Sequence, residues 1–162
     1  MHKAAGQSDL KNMAITTAEG IGLGALGIGM PDVVLFLTNL LKGIYETALN
    51  YGFDYESRME QYIILCMIET ALRTGEDWVA GNGRVEELLF RDIAEPSQTD
   101  FDTQIKATAS AFAMDMLILK FIQGIPVVGI LGGAANPVYY HKVMQYVKLK
   151  YRKRYLTGLI NE

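Results

Sequence analysis

Apolar residues recur at intervals of three and four positions along most of the chain, which is the spacing of an amphipathic helix. The clearest run is Met59, Tyr62, Ile63, Cys66, Met67, Thr70 and Ala71. No stretch of useful length alternates apolar and polar residues as a half-buried strand does. The pattern predicts six helices, over about residues 8–18, 31–51, 54–75, 85–93, 102–122 and 137–155. We expect an all-α fold: a single-domain helical bundle over residues 1–162 with two Gly/Pro-rich apolar helical hairpin segments.

Turn and capping residues set several of these boundaries. Pro31 suits the first turn of the second helix, and Gly52 is placed to end that helix in the left-handed conformation. Asp54 is placed to cap the third helix. Residues 75–84 contain three glycines and are predicted to form a loop before a short fourth helix.

Residues 22–27, GLGALG, match the Gly-x-Gly-x-x-Gly fingerprint of a dinucleotide-binding loop. Such a loop must follow a buried strand and lead directly into a helix, because the helix amides bind the phosphate. The preceding residues do not predict a strand, and the next helix begins several residues later. Asp32 would also repel a phosphate there. We therefore expect no nucleotide cofactor at these glycines.

Close helix packing explains the glycines better. Gly20 and Gly24 form a Gly-x-x-x-Gly pair, and so do Gly129 and Gly133. On a helix this spacing leaves a flat strip that another backbone can approach. Both pairs lie in apolar surroundings, and residues 121–140 contain no charged residue.

Two interpretations of these apolar segments remain open. They pack on each other within a soluble core, or they also dip into a membrane as re-entrant elements. A simple spanning helix is disfavoured, because Pro126, Asn136 and the glycines interrupt the second segment and would leave backbone groups unpaired in lipid.

Charge is unevenly distributed in this chain, which has a net charge of −3 and a hydrophobic content of 50%. Residues 54–102 contain twelve acidic residues, whereas residues 116–161 contain seven basic residues and no acidic one. Five of these cations are close together: Lys148, Lys150, Arg152, Lys153 and Arg154. The same helix is predicted to gather tyrosines and valines on one broad face: Tyr140, Val143, Val147, Tyr151 and Tyr155. Such a helix suits the headgroup zone of an anionic membrane, and the alternative is a solvated helix end whose tyrosines pack on the core.

No catalytic, metal-binding or cofactor-binding constellation is expected. His141 is interpreted as a structural or exposed helix residue, and no pairing of Cys and His has metal-ligand spacing. Cys66, the single cysteine, is predicted to be a buried free thiol. Glu86, Glu87 and the acidic stretch 95–102 are interpreted as solvated surface. Nucleic acid is not an expected partner, because most of the chain is acidic and no groove-binding motif is present.

The order of motifs resembles the EcsC family of bacterial proteins. The resemblance is carried by the segments GIGLGALGIGMPD, ALNYGFD and IPVVGILGGAANP, and by the closing Tyr151 and Arg154. It implies a helical protein without established catalytic residues, whose founding member is encoded beside an ABC transporter. Relatives usually have more helical sequence before the first glycine segment, which predicts that this chain is short on its N-terminal side.

Together these observations predict a non-enzymatic accessory or regulatory protein at the inner, cytoplasmic face of the membrane. The expected partner is an anionic membrane surface or a membrane protein such as an ABC transporter, and a homo-oligomer is compatible with the sequence. The expected contact residues are Gly20, Gly24, Pro126, Gly129, Gly133, Asn136, Lys148, Lys150, Arg152, Lys153 and Arg154. Two alternatives are a soluble helical protein-interaction module and an enzyme that uses an unrecognised acidic site.

Overall fold

The computed structural model describes the backbone of residues 30–123 and 135–161, and the side chains of residues 35–113 and 137–160. These residues form five helices and no strand, which confirms the all-α prediction for the described part of the chain. The helices are α1 (Met30–Asn50), α2 (Arg58–Leu72), α3 (Gly75–Phe90), α4 (Gln98–Gln123) and α5 (Ala135–Asn161). The predicted helix 8–18 and the two glycine-rich apolar segments lie outside the described residues, apart from the ends that α1 and α5 contain.

Helix α2 is the centre of the bundle. It packs against α3, α4 and α5, and α1 packs against α5. Because neighbours surround α2, its buried residues extend beyond the single apolar face that the sequence predicts. They are Glu60, Tyr62, Ile63, Ile64, Leu65, Cys66, Met67, Ile68, Thr70, Ala71 and Leu72.

The direction of each helix follows from its contacts. Glu60 meets Tyr151, and the Leu72 carbonyl accepts a hydrogen bond from Lys142, so α2 and α5 are antiparallel. Helices α1 and α5 run in the same direction. Gly43 of α1 lies beside Met144 of α5, and Tyr51, later in α1, lies beside Tyr155, later in α5.

Helix α4 runs parallel to α2, since Arg58 hydrogen-bonds Gln98 and the Leu65 carbonyl accepts from Thr108. The start of α1, the end of α4 and the start of α5 therefore lie at the same end of the bundle. We call this the Met30 end. The other end of α5, with its cationic residues, lies at the opposite end of the molecule.

The turn between α1 and α2 confirms one of the two predicted helix boundaries there and corrects the other. Gly52 has a φ of 83°, which confirms the predicted left-handed end of α1. The prediction that Asp54 caps the next helix is wrong. Ser57 is the N-cap, and its hydroxyl accepts a hydrogen bond from the Glu60 amide. Asp54 instead accepts from the Glu56 amide, within the turn that precedes the helix.

The prediction of a loop over residues 75–84 is also wrong, because α3 begins at Gly75 and includes all of them. One of these glycines serves a close contact between helices. A Cβ atom at Gly81 would lie 2.7 Å from Oγ1 of Thr70 on α2. Glycine at this position therefore lets α3 lie against α2, and tertiary packing overrides its weak helix propensity.

Helices α4 and α5 are longer than predicted. Helix α4 begins at Gln98, because the Ser97 hydroxyl accepts from the Asp100 amide while the Asp100 carboxylate accepts from Ser97. Helix α5 extends to Asn161, and Pro137 lies in its first turn, where proline is tolerated.

Candidate functional site

The inward face of α5 is an aromatic and aliphatic strip that packs on α1 and α2. Tyr139, Val143, Val147 and Tyr151 are almost completely buried. Of the five residues predicted to share a face, Val143, Val147 and Tyr151 lie in the core, whereas Tyr140 and Tyr155 are partly exposed at its margin.

A buried carboxylate joins α5 to the start of α2. Glu60 is only 4% exposed, and its two oxygens accept hydrogen bonds from the Tyr151 hydroxyl and the Arg154 guanidinium, each at 2.8 Å. Burial, together with the nearby Glu60 charge, raises the pKa of Tyr151. The Arg154 guanidinium also lies 4.1 Å from the centre of the Phe53 ring. Arg154 is therefore part of the internal structure of the bundle.

A second carboxylate joins α5 to α3. Glu86 accepts hydrogen bonds from both Lys150 and Lys153. Burial opposes ionisation, but the two ammonium groups outweigh it and lower the pKa of Glu86. Beside this cluster, the Tyr146 hydroxyl donates to Oδ1 of Asn82 at 3.0 Å. The expectation that Glu86 is solvated surface is wrong, because the approach of α3 to α5 partly buries it.

The five cations predicted as one contact group are thus divided by the fold. Lys150 and Arg154 point inward and form ion pairs, and Lys153 is half-exposed but bound to Glu86. Lys148 and Arg152 are exposed, and neither forms an ion pair with any described residue. Of the five cations, only these two form no ion pair with a described residue, and we call them the free cations.

Exposed apolar residues accompany the two free cations. Leu149 is 63% exposed and Ile160 is 82% exposed. Residues at positions 138, 149, 156 and 160 are separated by 11, 7 and 4 positions, which are close to whole turns of a helix with about 3.6 residues per turn. They therefore form one stripe on the side of α5 that faces away from the bundle. We define the α5 outward face as Val138, Lys148, Leu149, Arg152, Leu156, Leu159 and Ile160.

The final part of α5 extends past its neighbours. Tyr155 lies beside Tyr51, near the end of α1, and Arg154 lies beside Glu60, near the start of α2. Residues 156–161 continue the helix beyond both points. This explains why Leu156, Leu159 and Ile160 remain exposed.

The other predicted contact residues are at the Met30 end or outside the described chain. Asn136 is the second residue of α5, and its side chain is not among those described. At a rise of about 1.5 Å per residue, it lies about 24 Å along the helix axis from Arg152. Gly20, Gly24, Pro126, Gly129 and Gly133 fall outside the described residues.

Sequence reasoning missed two close helix contacts that use glycine. Besides Gly81, a Cβ atom at Gly43 would lie 2.6 Å from the Tyr140 hydroxyl, where α1 meets α5. Neither glycine belongs to a Gly-x-x-x-Gly pair. For Gly43 the available signal was a lone glycine within an otherwise helical pattern, whereas Gly81 lies among three glycines that predict a loop.

Groups capable of chemistry are few in the described part of the chain. Cys66 is a buried free thiol, as predicted, and burial raises its pKa to about 12. Among the described residues, no group of His, Cys, Asp and Glu is arranged to hold a metal ion. His141 is exposed and lies 2.7 Å from the Gln145 amide nitrogen, measured from its Nε2. No helix in the described ranges is both long and apolar enough to cross a membrane.

Two open clefts flank Arg84, which donates to the Tyr62 hydroxyl and lies over the Tyr62 ring. One, of about 320 Å³, lies between α2 and α3 and includes Arg73 and Asp77. The other, of about 390 Å³, is bounded by the connection between α3 and α4. Both mix acidic and basic side chains, and the Arg73 guanidinium is already paired with Glu69. Neither cleft presents a converging set of unpaired polar groups.

The described residues thus form a helical bundle whose final helix has a buried aromatic and aliphatic face and an exposed stripe of apolar and cationic side chains. The model of the EcsC protein family matches residues 1–156. The chain belongs to the EcsC family. No curated protein and no solved structure matches it.

Proposed function

We propose that this protein is a non-enzymatic accessory protein that docks on the inner, anionic face of a membrane through the α5 outward face. The observation that carries the proposal is an exposed side of α5 that combines an apolar stripe with two cations, neither of which forms an ion pair with a described residue. A helix that exposes such a stripe can lie along a membrane surface, with its exposed apolar side chains among the acyl chains and its cations at lipid phosphates.

Only some of the cations predicted to contact the membrane are exposed and without an ion pair among the described residues. Lys150 and Arg154 are unsuited to lipid contact, because breaking their ion pairs would remove one of the two hydrogen-bond donors of Glu86 and one of the two of Glu60. Lys148 and Arg152 need no such rearrangement. Neutralising all five cations together would therefore mix a loss of docking with a loss of fold.

A flotation assay on vesicles tests the proposal. The variant K148Q/R152Q should bind anionic vesicles about 30-fold more weakly than the wild type, since each cation near an anionic surface contributes about 1 kcal/mol. Its thermal unfolding should be unchanged, because neither side chain forms an ion pair with a described residue. Binding of the wild type to neutral vesicles should be weak, and high salt should reduce its binding to anionic ones.

The matched control is K42Q/K106Q, which removes the same charge from exposed positions on α1 and α4. It should retain the affinity of the wild type for anionic vesicles, apart from a small effect of net charge. Equal losses in the two variants would show that total charge, and not the α5 outward face, governs binding. No binding by the wild type under any condition would overturn the proposal.

At the membrane, the protein partner that we propose is a membrane protein such as an ABC transporter, as the family resemblance suggests. A soluble interaction module is the second candidate function, and the same exposed apolar stripe favours it, because such a stripe also fits a groove on a protein. That candidate predicts no affinity for vesicles of any composition.

A further inference from the structure

A line of polar side chains runs along α5 beside the apolar stripe of its outward face. The members of this line are separated by four, three and four positions, so they follow one another along the helix axis, and all are exposed: His141, Gln145, Lys148 and Arg152. Gln145 precedes Leu149 by four positions, and Arg152 precedes Leu156 by four, which places the line directly against the stripe. We call these four residues the α5 polar line.

The charge of the α5 polar line depends on pH through one of its members. Lysine and arginine side chains are cationic throughout the neutral range, and neither Lys148 nor Arg152 forms an ion pair with a described residue. Histidine is the side chain whose charge ordinarily changes between about pH 5 and 8. His141 therefore decides whether the line carries two cations or three, and the third cation is present in mild acid.

Gln145 is compatible with both charge states of its neighbour. Its Nε2 lies 2.7 Å from Nε2 of His141. With a neutral imidazole, the amide nitrogen of Gln145 donates to the ring nitrogen. With a protonated imidazole, the ring nitrogen donates instead, and the amide accepts through its oxygen after a half-turn. This contact therefore does not hold His141 in the neutral state.

The helices packed against α5 leave the charge of His141 to the solvent. Helices α2 and α3 lie on the other side of α5, since Lys150, which binds Glu86 of α3, is two positions from both Lys148 and Arg152 and points away from them. Lys142, the next residue in the chain, donates to the Leu72 carbonyl. The ionisable groups of α1, α2 and α3 that form ion pairs near α5 are bound elsewhere: Lys42 with Glu46, Glu69 with Arg73, Glu60 with Arg154, and Glu86 with Lys150 and Lys153.

We infer that mild acid strengthens the docking of the α5 outward face on an anionic membrane, because protonation of His141 adds a third cation to the α5 polar line. The inference rests on the proposed function, and it adds regulation to the same site. The negative potential of an anionic surface attracts protons as it attracts other cations. By linkage, docking and protonation then favour each other.

Vesicle flotation at about pH 7.5 and about pH 5.5 tests this inference, because histidine changes its charge between these values. The wild type should bind anionic vesicles about fivefold more tightly at the lower pH, as expected for one further cation near the surface. H141Q should lose this gain. H141K, which keeps its charge at both pH values, should bind at the higher pH as tightly as the wild type binds at the lower one.

The matched control is H2Q, which removes the other histidine of the chain and should keep the full response to acid. Carboxyl groups titrate about two pH units below histidine, so they contribute little over this range. On neutral vesicles, and on anionic vesicles in high salt, the response should disappear. Thermal unfolding of H141Q should match that of the wild type, since the side chain that it replaces is exposed.

The outcomes separate this inference from the proposed function. Wild-type protein that binds anionic vesicles equally at both pH values would overturn the inference alone, because docking through Lys148 and Arg152 does not require His141. A full acid response in H141Q, or no gain in H141K at the higher pH, would do the same. Wild-type protein that binds at neither pH would overturn both.

Discussion

At the scale of the residue, the Glu60 carboxylate makes two hydrogen bonds to the final helix, and both join residues that are far apart in the sequence. Tyr151 is fully buried, and its hydroxyl supplies one of the hydrogen bonds that compensate the buried charge. When a buried acceptor loses its donor, the protein is destabilised by the desolvation free energy of that acceptor. This penalty is usually larger than the net stabilisation that a hydrogen bond provides.

The substitution Tyr151→Phe should therefore lower the free energy of unfolding by about 1.5–3 kcal/mol, the usual range for a hydrogen bond to a charged group. Urea denaturation measures the change. Tyr155→Phe is the matched control, because Tyr155 is 43% exposed and has no described hydrogen bond. Its effect should stay within about 0.5 kcal/mol. Equal effects of the two substitutions would contradict the structural role assigned to Tyr151.

Glu86 provides a test that depends on pH. Its lowered folded pKa means that its ion pairs stabilise the fold fully above the unfolded pKa of a glutamate, about 4.3. That contribution is lost as the pH falls through the lower folded pKa. The variant E86Q should be less stable than the wild type near neutral pH, and the difference should shrink in acid. A difference that is constant from neutral pH to about pH 3 would argue against the ion pairs with Lys150 and Lys153.

At the scale of the element, α3 shows how packing selects a structure that local propensity disfavours. Its three glycines predict a loop, yet the helix is anchored by Val85, Leu89 and Glu86 in its second half. Only Gly81 is required by a neighbour. Gly83 has open space around the position of its missing Cβ atom.

Alanine at these two glycines should therefore have opposite effects. Gly83→Ala should stabilise the protein by about 0.5–1 kcal/mol, because alanine is the better helix former. Gly81→Ala should destabilise it, since the new Cβ atom meets Thr70 at 2.7 Å. The double variant G81A/T70A should recover part of the loss, because it removes the nearest Thr70 atoms. Thermal unfolding of the four proteins checks the pattern, which fails if both single alanines stabilise.

The sequence was sufficient to predict helices with strong apolar periodicity. It was not sufficient to predict helix boundaries and burial that depend on contacts between residues far apart in the chain. Gly52 ends α1 as expected, because its left-handed conformation is a local property. The start of α3 could not be predicted, since the support comes from residues up to 67 positions away. The same reason explains the division of the cations: local sequence places Lys148 and Lys150 side by side, but only the approach of α3 buries Lys150.

At the scale of the whole molecule, the described helices separate two features that the sequence predicts as one contact surface. The helix ends that lead to the glycine-rich segments lie at the Met30 end, and the free cations lie about 20 Å or more along α5. A contact through the Met30 end of the described helices would not reach the free cations. The proposed function therefore requires docking along the side of α5, through its outward face.

Site-specific fluorescence tests that claim most directly. Cys66 is buried and its thiol is hardly ionised, so a cysteine introduced at Leu156 can be labelled selectively with an environment-sensitive dye. A cysteine at the exposed Ser110 on α4 is the matched control. Docking through the α5 outward face should give a large increase in emission at position 156 on anionic vesicles and little change at position 110. Equal responses at both positions, or no response at position 156 while the protein is bound, would contradict docking through the α5 outward face.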